Sequence, residues 1–278
     1  MRKNIVLFST INCLIFLTMI SCNISGGRSL RIIKTDQFVD IGTHQLRVVL
    51  SDVPSEYTVV LEAGGGNYSD AYQKIQDTLA QLTGMRVMSY DRSGFGQSEL
   101  GPDDFNALDE VEALKKCLEI QGFNHKLILV GHSYGGFLVQ LFTLQYPESV
   151  SGLVLIDPMN VIFVDRFGLD NLNAVTPYFD NPTTDFQKAA NRMIDHFPEA
   201  LELARGRTLP EQIPVVLITS GHAPVSPDIW RQCHQEMVRG SEKHKLIIAD
   251  GNSHDIVKEN PELVLNTIVE LCKSLIDE

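Results

Sequence analysis

The pattern of apolar and polar positions predicts an alternation of strands and helices from about residue 31 onward. Two runs of alternating polarity, residues 31–40 and 45–51, flank a Gly-containing tetrapeptide and predict an antiparallel hairpin. The later apolar runs are continuous and rich in Val, Ile and Leu, which is typical of strands buried on both faces of a parallel sheet. These runs occupy residues 58–61, 86–90, 127–130, 153–156, 215–218 and 246–249.

Segments in which apolar residues recur with helical spacing separate the strand-like runs. The spacing predicts helices over residues 68–82, 105–120 and 134–145, and a last helix from about Pro261 to Leu275. A count of about eight strands with helices between them is typical of the α/β class. We therefore expect a mostly parallel eight-stranded sheet that is flanked by helices on both sides and begins with the antiparallel pair.

Residues 159–210 interrupt this alternation. They contain short helical patterns at 186–194 and 198–204 but no run that resembles a core strand. A segment of about fifty residues is too long for a plain loop in a compact domain. We therefore expect a helical cap over 159–210, inserted between strands 6 and 7 of a core that residues 31–158 and 211–278 form.

The N-terminal residues have the layout of an export signal. Two basic residues precede a mostly apolar stretch at 5–20, which is too short and too interrupted to predict a membrane span. The run that ends in Cys22 resembles a bacterial lipoprotein signal, in which cleavage precedes a Cys that is then acylated. We expect a signal peptide over 1–21, a lipidated Cys22 that ties the exported protein to a cell-envelope membrane, and a linker over 22–30. An ordinary signal peptide or an uncleaved anchor is the alternative.

Composition and charge narrow the class of protein. Hydrophobic residues make up 44% and charged residues 21% of the chain, which excludes wholesale disorder and a multi-spanning membrane protein. The net charge of −12 would repel phosphate backbones, so we expect no nucleic-acid partner. Beyond Cys13 and Cys22, the spacing of Cys117, Cys233 and Cys272 matches no metal-binding pattern and implies no disulfide framework.

The motif Gly-His-Ser-Tyr-Gly at 131–135 is the strongest chemical signal in the sequence. It follows the apolar run 127–130 directly and opens the helix predicted from Tyr134. This strand–turn–helix context is the one that a nucleophile elbow requires, because the turn must project the Ser133 hydroxyl above the sheet. Glycines on either side of the serine allow the strand and the helix to approach closely.

A serine hydroxyl is a weak nucleophile at neutral pH and needs a base. His254 is the best candidate, because it follows the last predicted strand and precedes the final helix, at the sheet edge where α/β proteins place their sites. His222 follows another strand and is the rival. His132 lies inside the elbow, where we expect a structural role.

The acid that would orient the base has two candidates in the sequence. Asp157 comes directly after the strand 153–156, one strand beyond the nucleophile. Asp228 comes after the next strand, but the run Ser226-Pro227-Asp228 also resembles a helix start, where an Asp serves as a capping residue. We favour Asp157 and keep Asp228 as the alternative.

From about residue 31 to its end, the chain resembles the α/β-hydrolase superfamily, in particular its capped serine hydrolases. The resemblance rests on residues 61–66 (LEAGGG), 90–98 (YDRSGFGQS), 131–136 (GHSYGG), 253–254 (SH) and 260–262 (NPE). The resemblance implies a triad of Ser133, His254 and an acid, here Asp157, that hydrolyses its substrate through an acyl-enzyme. It also implies an oxyanion hole from the backbone N–H groups of Tyr134 and Gly65, with no metal or organic cofactor.

Two departures from the family pattern bear on these expectations. Many relatives have His-Gly where this chain has Ala63-Gly64, and many take the acid from the strand that corresponds to residues 215–219. Some members take it from the preceding strand, which agrees with Asp157. In this family the stretch that contains Asp91 and Arg92 is chiefly a structural loop, and we expect no chemistry from it.

The resemblance fixes the reaction more closely than the substrate. A carboxylic ester with a small to medium apolar acyl or aryl group is the expected substrate. The aromatic residues of the cap would line a pocket for it or form the cap's own core; they are Phe163, Phe167, Tyr178, Phe179 and Phe186. A carbon–carbon bond hydrolase or a peptidase of the same fold is the alternative, and a non-catalytic ligand-binding lipoprotein is a further one. The sequence leaves the oligomeric state open.

Overall fold

The computed structural model of the protein describes residues 30–223 and 225–277. The signal peptide and the lipidated Cys22 that the sequence predicts, and nearly all of the linker, lie outside the described residues. Within the described ranges the chain forms an eight-stranded sheet in the order β1-β2-β4-β3-β5-β6-β7-β8. Its strands are β1 (Ile33–Asp40), β2 (Gln45–Asp52), β3 (Thr58–Glu62), β4 (Arg86–Tyr90), β5 (Leu127–His132), β6 (Val150–Ile156), β7 (Val215–His222) and β8 (His244–Ser253).

The sheet is mostly parallel. Strand β2 pairs antiparallel with both β1 and β4, and the pairs from β4 through β8 are all parallel. The predicted hairpin and the predicted mostly parallel sheet are therefore confirmed. The parallel strands end at one edge of the sheet, and this shared edge gathers the residues that follow β3, β5, β6 and β8.

Helices cover both faces of the sheet. They are α1 (Gln76–Thr83), α2 (Ala107–Gln121), α3 (Ser133–Gln145), α4 (Val161–Phe167), α5 (Leu169–Asn173), α6 (Asp185–Asp195), α7 (Phe197–Ala204), α8 (Pro227–Met237), α9 (Ile256–Glu259) and α10 (Pro261–Asp277). Helices α2, α3 and α8 share one apolar layer with the sheet, while α1, α9 and α10 share the other.

The continuous apolar runs follow from this two-sided cover. Along β5, the Leu129 side chain packs into the α2–α3 layer, whereas Ile128 and Val130 pack into the α1–α10 layer. All three side chains are fully buried, so neither face of the strand has a position that favours a polar residue. The core of the molecule therefore consists of two apolar layers with the sheet between them.

Two predicted elements differ in their bounds. The helix expected over 68–82 is a 3-10 turn at Ser69–Tyr72 followed by α1, and Ser69 donates both its N–H and its hydroxyl to the Asp91 carboxylate. Strand β8 continues to Ser253 instead of ending near Ala249, because it pairs with β7 as far as His222 across an irregular step. The extension brings β8 to the residue immediately before His254.

The segment between β6 and β7 is helical and contains α4, α5, α6 and α7. Helices α6 and α7 coincide closely with the predicted patterns, whereas α4 and α5 have no counterpart among them. Helix α4 packs on α8, and its Phe163 is fully buried against Phe167 and Trp230. Helix α4 therefore belongs to the layer beside the sheet, and α7 also packs on that layer through Phe197, Ala200 and Leu201.

Across the part of the chain that the structure describes, we find no helix with the length and apolar character needed to span a bilayer.

Candidate active site

The turn between β5 and α3 has the geometry of a nucleophile elbow. Ser133 adopts a φ of +53°, a left-handed conformation that a residue with a side chain rarely takes. A Cβ on Gly131 would lie 2.6 Å from the carbonyl O of Gly135, and a Cβ on Gly135 would overlap the carbonyl O of Ala63. Both glycines are therefore required by close backbone contacts, and the strained serine presents its hydroxyl at the sheet edge.

The structure brings Ser133, His254 and Asp157 together. The Ser133 hydroxyl lies 2.8 Å from Nε2 of His254, and Nδ1 of His254 lies 2.7 Å from Oδ2 of Asp157. Because Nδ1 faces a carboxylate, it carries the ring proton, and Nε2 is free to accept from the serine. These two short contacts form a continuous chain from the nucleophile to the acid.

The sheet register explains why Asp157 lies beside the nucleophile. His132 of β5 pairs with Ile156 of β6, so the next residue on each strand, Ser133 and Asp157, leaves the sheet at the same level. Asp157 also has a positive φ, +44°, and is fully buried. Two neighbouring strands therefore each end in a strained residue that contacts His254.

Asp157 is held as a carboxylate by several donors. The Ser220 N–H donates to Oδ1 at 2.7 Å, the Ser220 hydroxyl to Oδ2 at 2.8 Å, and the Trp230 indole N–H to Oδ1 at 2.8 Å. Burial alone would raise the pKa of Asp157, but the hydrogen bond and charge of His254, together with Ser220, lower it below its ordinary value. The acid is therefore ionised at neutral pH and can stabilise a positive imidazole.

His132 lies beside the triad and has a structural contact with it. Its Nε2–H donates to the carbonyl O of His254 at 2.8 Å. Burial, together with the neighbouring His254, lowers the pKa of His132 to about 4, so its ring is neutral under physiological conditions. The ring thereby fixes the backbone of the candidate base without adding charge to the site.

The two rival residues lie elsewhere. Asp228 is exposed in the first turn of α8, as a helix-start residue would be. His222 is exposed at the end of β7, where it pairs with Ser253. The contacts to Ser133 and to its base are therefore made by His254 and Asp157.

The loop after β3 faces the elbow. A Cβ on Gly65 would lie 3.6 Å from the Cβ of Tyr134, so the two predicted oxyanion donors belong to backbone segments in close contact. Gly65, Tyr134 and Ser133 line the same cavity. The two residues that carry the predicted N–H donors thus both line the cavity in front of the nucleophile.

This cavity has a volume of about 440 Å³ and a mostly apolar wall. Helices α5, α6 and α7, which lie between β6 and β7, and the segment between α5 and α6 supply most of its lining. The described lining residues include no Asp, Glu, Lys or Arg. They are Gly65, Gly66, Ser133, Tyr134, Met159, Leu172, Asn173, Thr176, Pro177, Phe179, Phe186, Ala190, Met193, Ile194 and Phe197.

The cap aromatics divide between the two roles that the sequence left open. Phe179 and Phe186 line the cavity, whereas Phe163 and Phe167 stack on each other in the layer beside the sheet. Tyr178 is exposed and donates its hydroxyl to Asp195. Only part of the aromatic set is therefore placed to contact a ligand.

A profile of the family described as alpha/beta hydrolase fold matches residues 57–192 of the chain. The match begins one residue before β3 and ends within α6, so it includes the loop after β3, the elbow and Asp157. The chain has the α/β-hydrolase fold. The fold class that the sequence predicts is confirmed.

The curated proteins that are similar to this chain have diverse names. The uncharacterized protein YqjL of Bacillus subtilis (strain 168) is 22% identical over 218 residues, which cover 76% of this chain and 81% of that protein. The 2-hydroxy-6-oxononadienedioate/2-hydroxy-6-oxononatrienedioate hydrolase of Comamonas testosteroni is 28% identical over 211 residues, 69% of this chain and 72% of that enzyme. Proline iminopeptidase of Lactobacillus helveticus is 36% identical over 105 residues, which cover 35% of this chain and about a third (34%) of the peptidase.

Solved structures agree on the fold. A predicted CIB-like hydrolase from Thermoplasma acidophilum superposes with a TM-score of 0.63 at 18% identity, covering 87% of this chain and 99% of that one. The epoxide hydrolase CorEH superposes with a TM-score of 0.67 at 16% identity, again covering 87% and 99%. At such identities the likeness concerns the α/β-hydrolase fold alone.

Sequence reasoning missed several residues that support the candidate active site. His234 of α8 is fully buried, with Nε2–H donating to the carbonyl O of Pro158 and Nδ1 accepting from the Thr219 hydroxyl, both at 2.8 Å. Burial lowers the pKa of His234, so the ring is neutral. Its neighbour Trp230 is the single tryptophan of the chain, which is the one signal that could have drawn attention to α8. The described ranges contain no cluster of His, Cys, Asp or Glu side chains that could hold a metal ion.

Proposed function

We propose that the protein is a serine hydrolase that cleaves a carboxylic ester with a small to medium apolar acyl group. The observation that carries the proposal is the hydrogen-bonded chain from the Ser133 hydroxyl through the His254 ring to the buried Asp157 carboxylate. Such a chain lets a neutral serine transfer its proton as it attacks a carbonyl carbon.

In the first step, Nε2 of His254 takes the proton of the Ser133 hydroxyl while Oγ bonds to the ester carbonyl carbon. The imidazolium that forms is stabilised by Asp157, which the N–H and hydroxyl donors of Ser220 and Trp230 keep ionised. The same proton then passes to the leaving alcohol, and an acyl-enzyme remains. Water completes the reaction by the reverse sequence, with His254 acting first as base and then as acid.

The N–H groups of Gly65 and Tyr134 are the proposed donors to the tetrahedral oxyanion. Backbone donors that are fixed in advance need no reorganisation when negative charge develops, and they contribute most in a site that excludes water. Tyr134 also stands in the first turn of α3, where the helix dipole favours negative charge. The two proposed donors belong to the loop after β3 and to α3, and both segments line the cavity.

The cavity favours an uncharged, apolar acyl group. Its volume of about 440 Å³ lies toward the lower end of the usual range of roughly 300–1,000 Å³ for small-molecule sites. Phe179, Phe186 and Phe197 supply aromatic contact surface. Among the described residues of the lining, Asn173 and Thr176 alone have polar side chains besides Ser133 and Tyr134. Ester substrates with a short to medium acyl chain fit this lining.

Charged substrates fit it poorly. The relative from Comamonas testosteroni is named for dioates, which carry two carboxylates, and the relative from Lactobacillus helveticus is named as a peptidase for proline, whose amine is charged when it is N-terminal. Burying such charges requires an oppositely charged partner. Among the described residues that line the cavity none is an Arg, Lys, Asp or Glu, so an ester is favoured over both alternatives.

The test uses the full chain purified in a mild detergent. A fluorophosphonate probe should label Ser133, as located by peptide mass spectrometry, and nitrophenyl esters of acetate, butyrate and octanoate should be hydrolysed. Ser133→Ala should abolish labelling, and Asp157→Asn should lower kcat by about 10⁴ because the imidazole loses its charged partner.

Asp228→Asn is the matched control, because it removes a carboxylate of the rival position on the exposed face of α8. It should leave the turnover of all three esters unchanged. Folded wild-type protein that takes no label and hydrolyses no ester would refute the proposal and favour a non-catalytic ligand-binding role. A larger loss in Asp228→Asn than in Asp157→Asn would reassign the acid.

We also propose that the protein is exported and held at a cell-envelope membrane by an acylated Cys22. The proposal rests on the basic and apolar layout of residues 1–21 alone. Metabolic labelling with a radioactive fatty acid in a bacterial host should label the wild-type chain but not Cys22→Ala. An unlabelled wild-type chain would contradict the lipid anchor.

A further inference from the structure

A buried ion pair lies directly beneath the loop that carries Gly65. Glu62 is the last residue of β3, Arg92 follows β4 by two residues, and both side chains are about 1% exposed. The Arg92 Nη1 group donates to Oε1 of Glu62 at 2.6 Å, and the Tyr90 hydroxyl donates to Oε2. Burial alone would lower the pKa of Arg92, but the Glu62 and Glu110 carboxylates more than offset this, so the guanidinium stays charged.

The same guanidinium binds the backbone of the oxyanion loop. Its Nη1 group donates to the carbonyl O of Ala63, and its Nη2 group donates to the carbonyl O of Gly64 at 2.8 Å. The planar guanidinium presents its donors in a fixed fork, which allows it to hold two consecutive carbonyls at once. Arg92 therefore contacts two consecutive peptide groups, the one that joins Ala63 to Gly64 and the one that joins Gly64 to Gly65. The second of these carries the Gly65 N–H.

The Gly64 carbonyl and the Gly65 N–H belong to one peptide plane. In a trans peptide these two groups point in opposite directions, and the described residues contain no cis peptide. Fixing the carbonyl toward Arg92 therefore directs the Gly65 N–H away from it. A hydrogen bond from a charged donor to the carbonyl also polarises the peptide, which strengthens the N–H as a donor.

The loop needs such a constraint because residues 64–66 are all glycine. Glycine restricts neither φ nor ψ strongly, so an unconstrained run would let the peptide plane rotate and turn the N–H away from the cavity. A Cβ on Gly64 would lie 2.8 Å from Nδ1 of His132, so the close packing against the elbow excludes a stiffer residue there. Within the loop the Asn67 N–H donates to the Gly64 carbonyl O at 3.1 Å, and Arg92 adds a charged donor from outside the loop to the same carbonyl.

We propose that Arg92, held in place by Glu62, is a positioning residue that orients the Gly65 N–H for the oxyanion. The inference rests on the serine-hydrolase function proposed above and adds a residue to which the sequence assigned no chemistry. Arg92 also packs against the Tyr134 ring at 5.7 Å, and so lies between the two segments that supply the proposed donors.

The test compares an oxygen ester with its thionoester, in which sulfur replaces the carbonyl oxygen. Sulfur is larger and accepts hydrogen bonds weakly, so an intact oxyanion hole discriminates strongly against the thionoester. Removing one oxyanion donor typically lowers kcat by about 10²–10³. We expect the oxygen-to-sulfur ratio of kcat/KM to fall about a hundredfold in Arg92→Met and about tenfold in Arg92→Lys, with the KM of the oxygen ester within about threefold of wild type.

Arg86→Met is the matched control, since Arg86 lies at the opposite end of β4 and pairs with Asp52 at 2.7 Å. Its oxygen-to-sulfur ratio should equal that of wild type. Arg92→Lys keeps a charge beside Glu62, so it decides the question if Arg92→Met does not fold.

The outcomes separate this inference from the proposed function. If the folded Arg92 variants lose rate equally on both esters, the ratio stays at the wild-type value, and the positioning role is refuted while the hydrolase function stands. If wild-type protein hydrolyses neither ester and takes no fluorophosphonate label, the hydrolase function fails and the inference fails with it. An oxygen-to-sulfur ratio that is highest in wild type, lower in Arg92→Lys and lowest in Arg92→Met supports the positioning role.

Discussion

Replacing Trp230 by Phe should weaken the fold much more than the reaction. The indole N–H is one of the donors to the buried Asp157 carboxylate, at 2.8 Å, and the ring packs edge-on against Phe163 at a centroid distance of 4.6 Å. Phe keeps an aromatic ring in the site but removes the donor. The variant therefore tests a hydrogen bond to Asp157 from a residue that does not line the cavity.

The magnitude follows from the contacts. A hydrogen bond to a charged group contributes about 1.5–3 kcal/mol, and the smaller ring adds a packing loss of about 1 kcal/mol, so the free energy of unfolding should fall by roughly 2.5–4 kcal/mol. The same hydrogen-bond loss raises the pKa of Asp157, because the ionised carboxylate loses one of its donors. Because that pKa starts below its ordinary value, the acid stays ionised at pH 7.5, and kcat should fall less than about threefold.

Urea unfolding should be followed by circular dichroism, because the substitution removes the single tryptophan and its fluorescence. A double-mutant cycle with Asp157→Asn separates the hydrogen bond from the packing loss. The expected coupling energy is about 1–2 kcal/mol. A coupling energy below about 0.5 kcal/mol, or a hundredfold loss of kcat in folded Trp230→Phe, would refute the reasoning that Trp230 stabilises an already ionised acid.

Two further predictions concern pH and the cavity. The pKa of His132 is lowered to about 4 in the folded protein, so the unfolded chain binds more protons than the folded chain between about pH 6.5 and pH 4. The free energy of unfolding therefore falls by up to about 3 kcal/mol as the pH falls through that window. His132→Gln should flatten this part of the stability profile in urea unfolding at several pH values, and an unchanged slope would contradict the burial of a neutral ring. Ala190 lines the cavity, so Ala190→Leu should lower the octanoate-to-acetate ratio of kcat/KM about tenfold by excluding roughly two methylenes from burial. The exposed Ala174→Leu is its control, and an equal change in both variants would place the acyl chain elsewhere.

Much of the fold could be predicted from the sequence because the central strands are buried on both sides. The run 127–130 is apolar at every position, and β5 occupies it with two more residues. Short or polar elements carried less signal: α5 has five residues, of which Leu172 alone is buried, and no periodicity can be recognised over that length. The extension of β8 to Ser253 depends on pairing with β7, which a local pattern does not contain.

The candidate site likewise contains residues that the local sequence predicts and residues that depend on contacts between distant segments. Ser133 and His254 follow from a motif and from a position after a strand, because both depend on local sequence. The sequence favoured Asp157 over Asp228 but left both open, since the position of the acid beside the nucleophile depends on the register of β6 against β5. Arg92 was assigned no chemistry because its contacts with the carbonyls of residues 63 and 64 connect segments about thirty residues apart.

The position of Asp157 at the end of β6 has a consequence for how the molecule can be altered. The nucleophile, the acid and both proposed oxyanion donors all precede residue 158, and only His254 comes after the helical insertion. Helices α5, α6 and α7, which supply most of the cavity lining, could therefore be exchanged as a block for those of another protein of this fold. Such chimeras would keep the reacting groups on their own strands while acquiring a different acyl preference, which makes this chain a natural recipient for cap exchange.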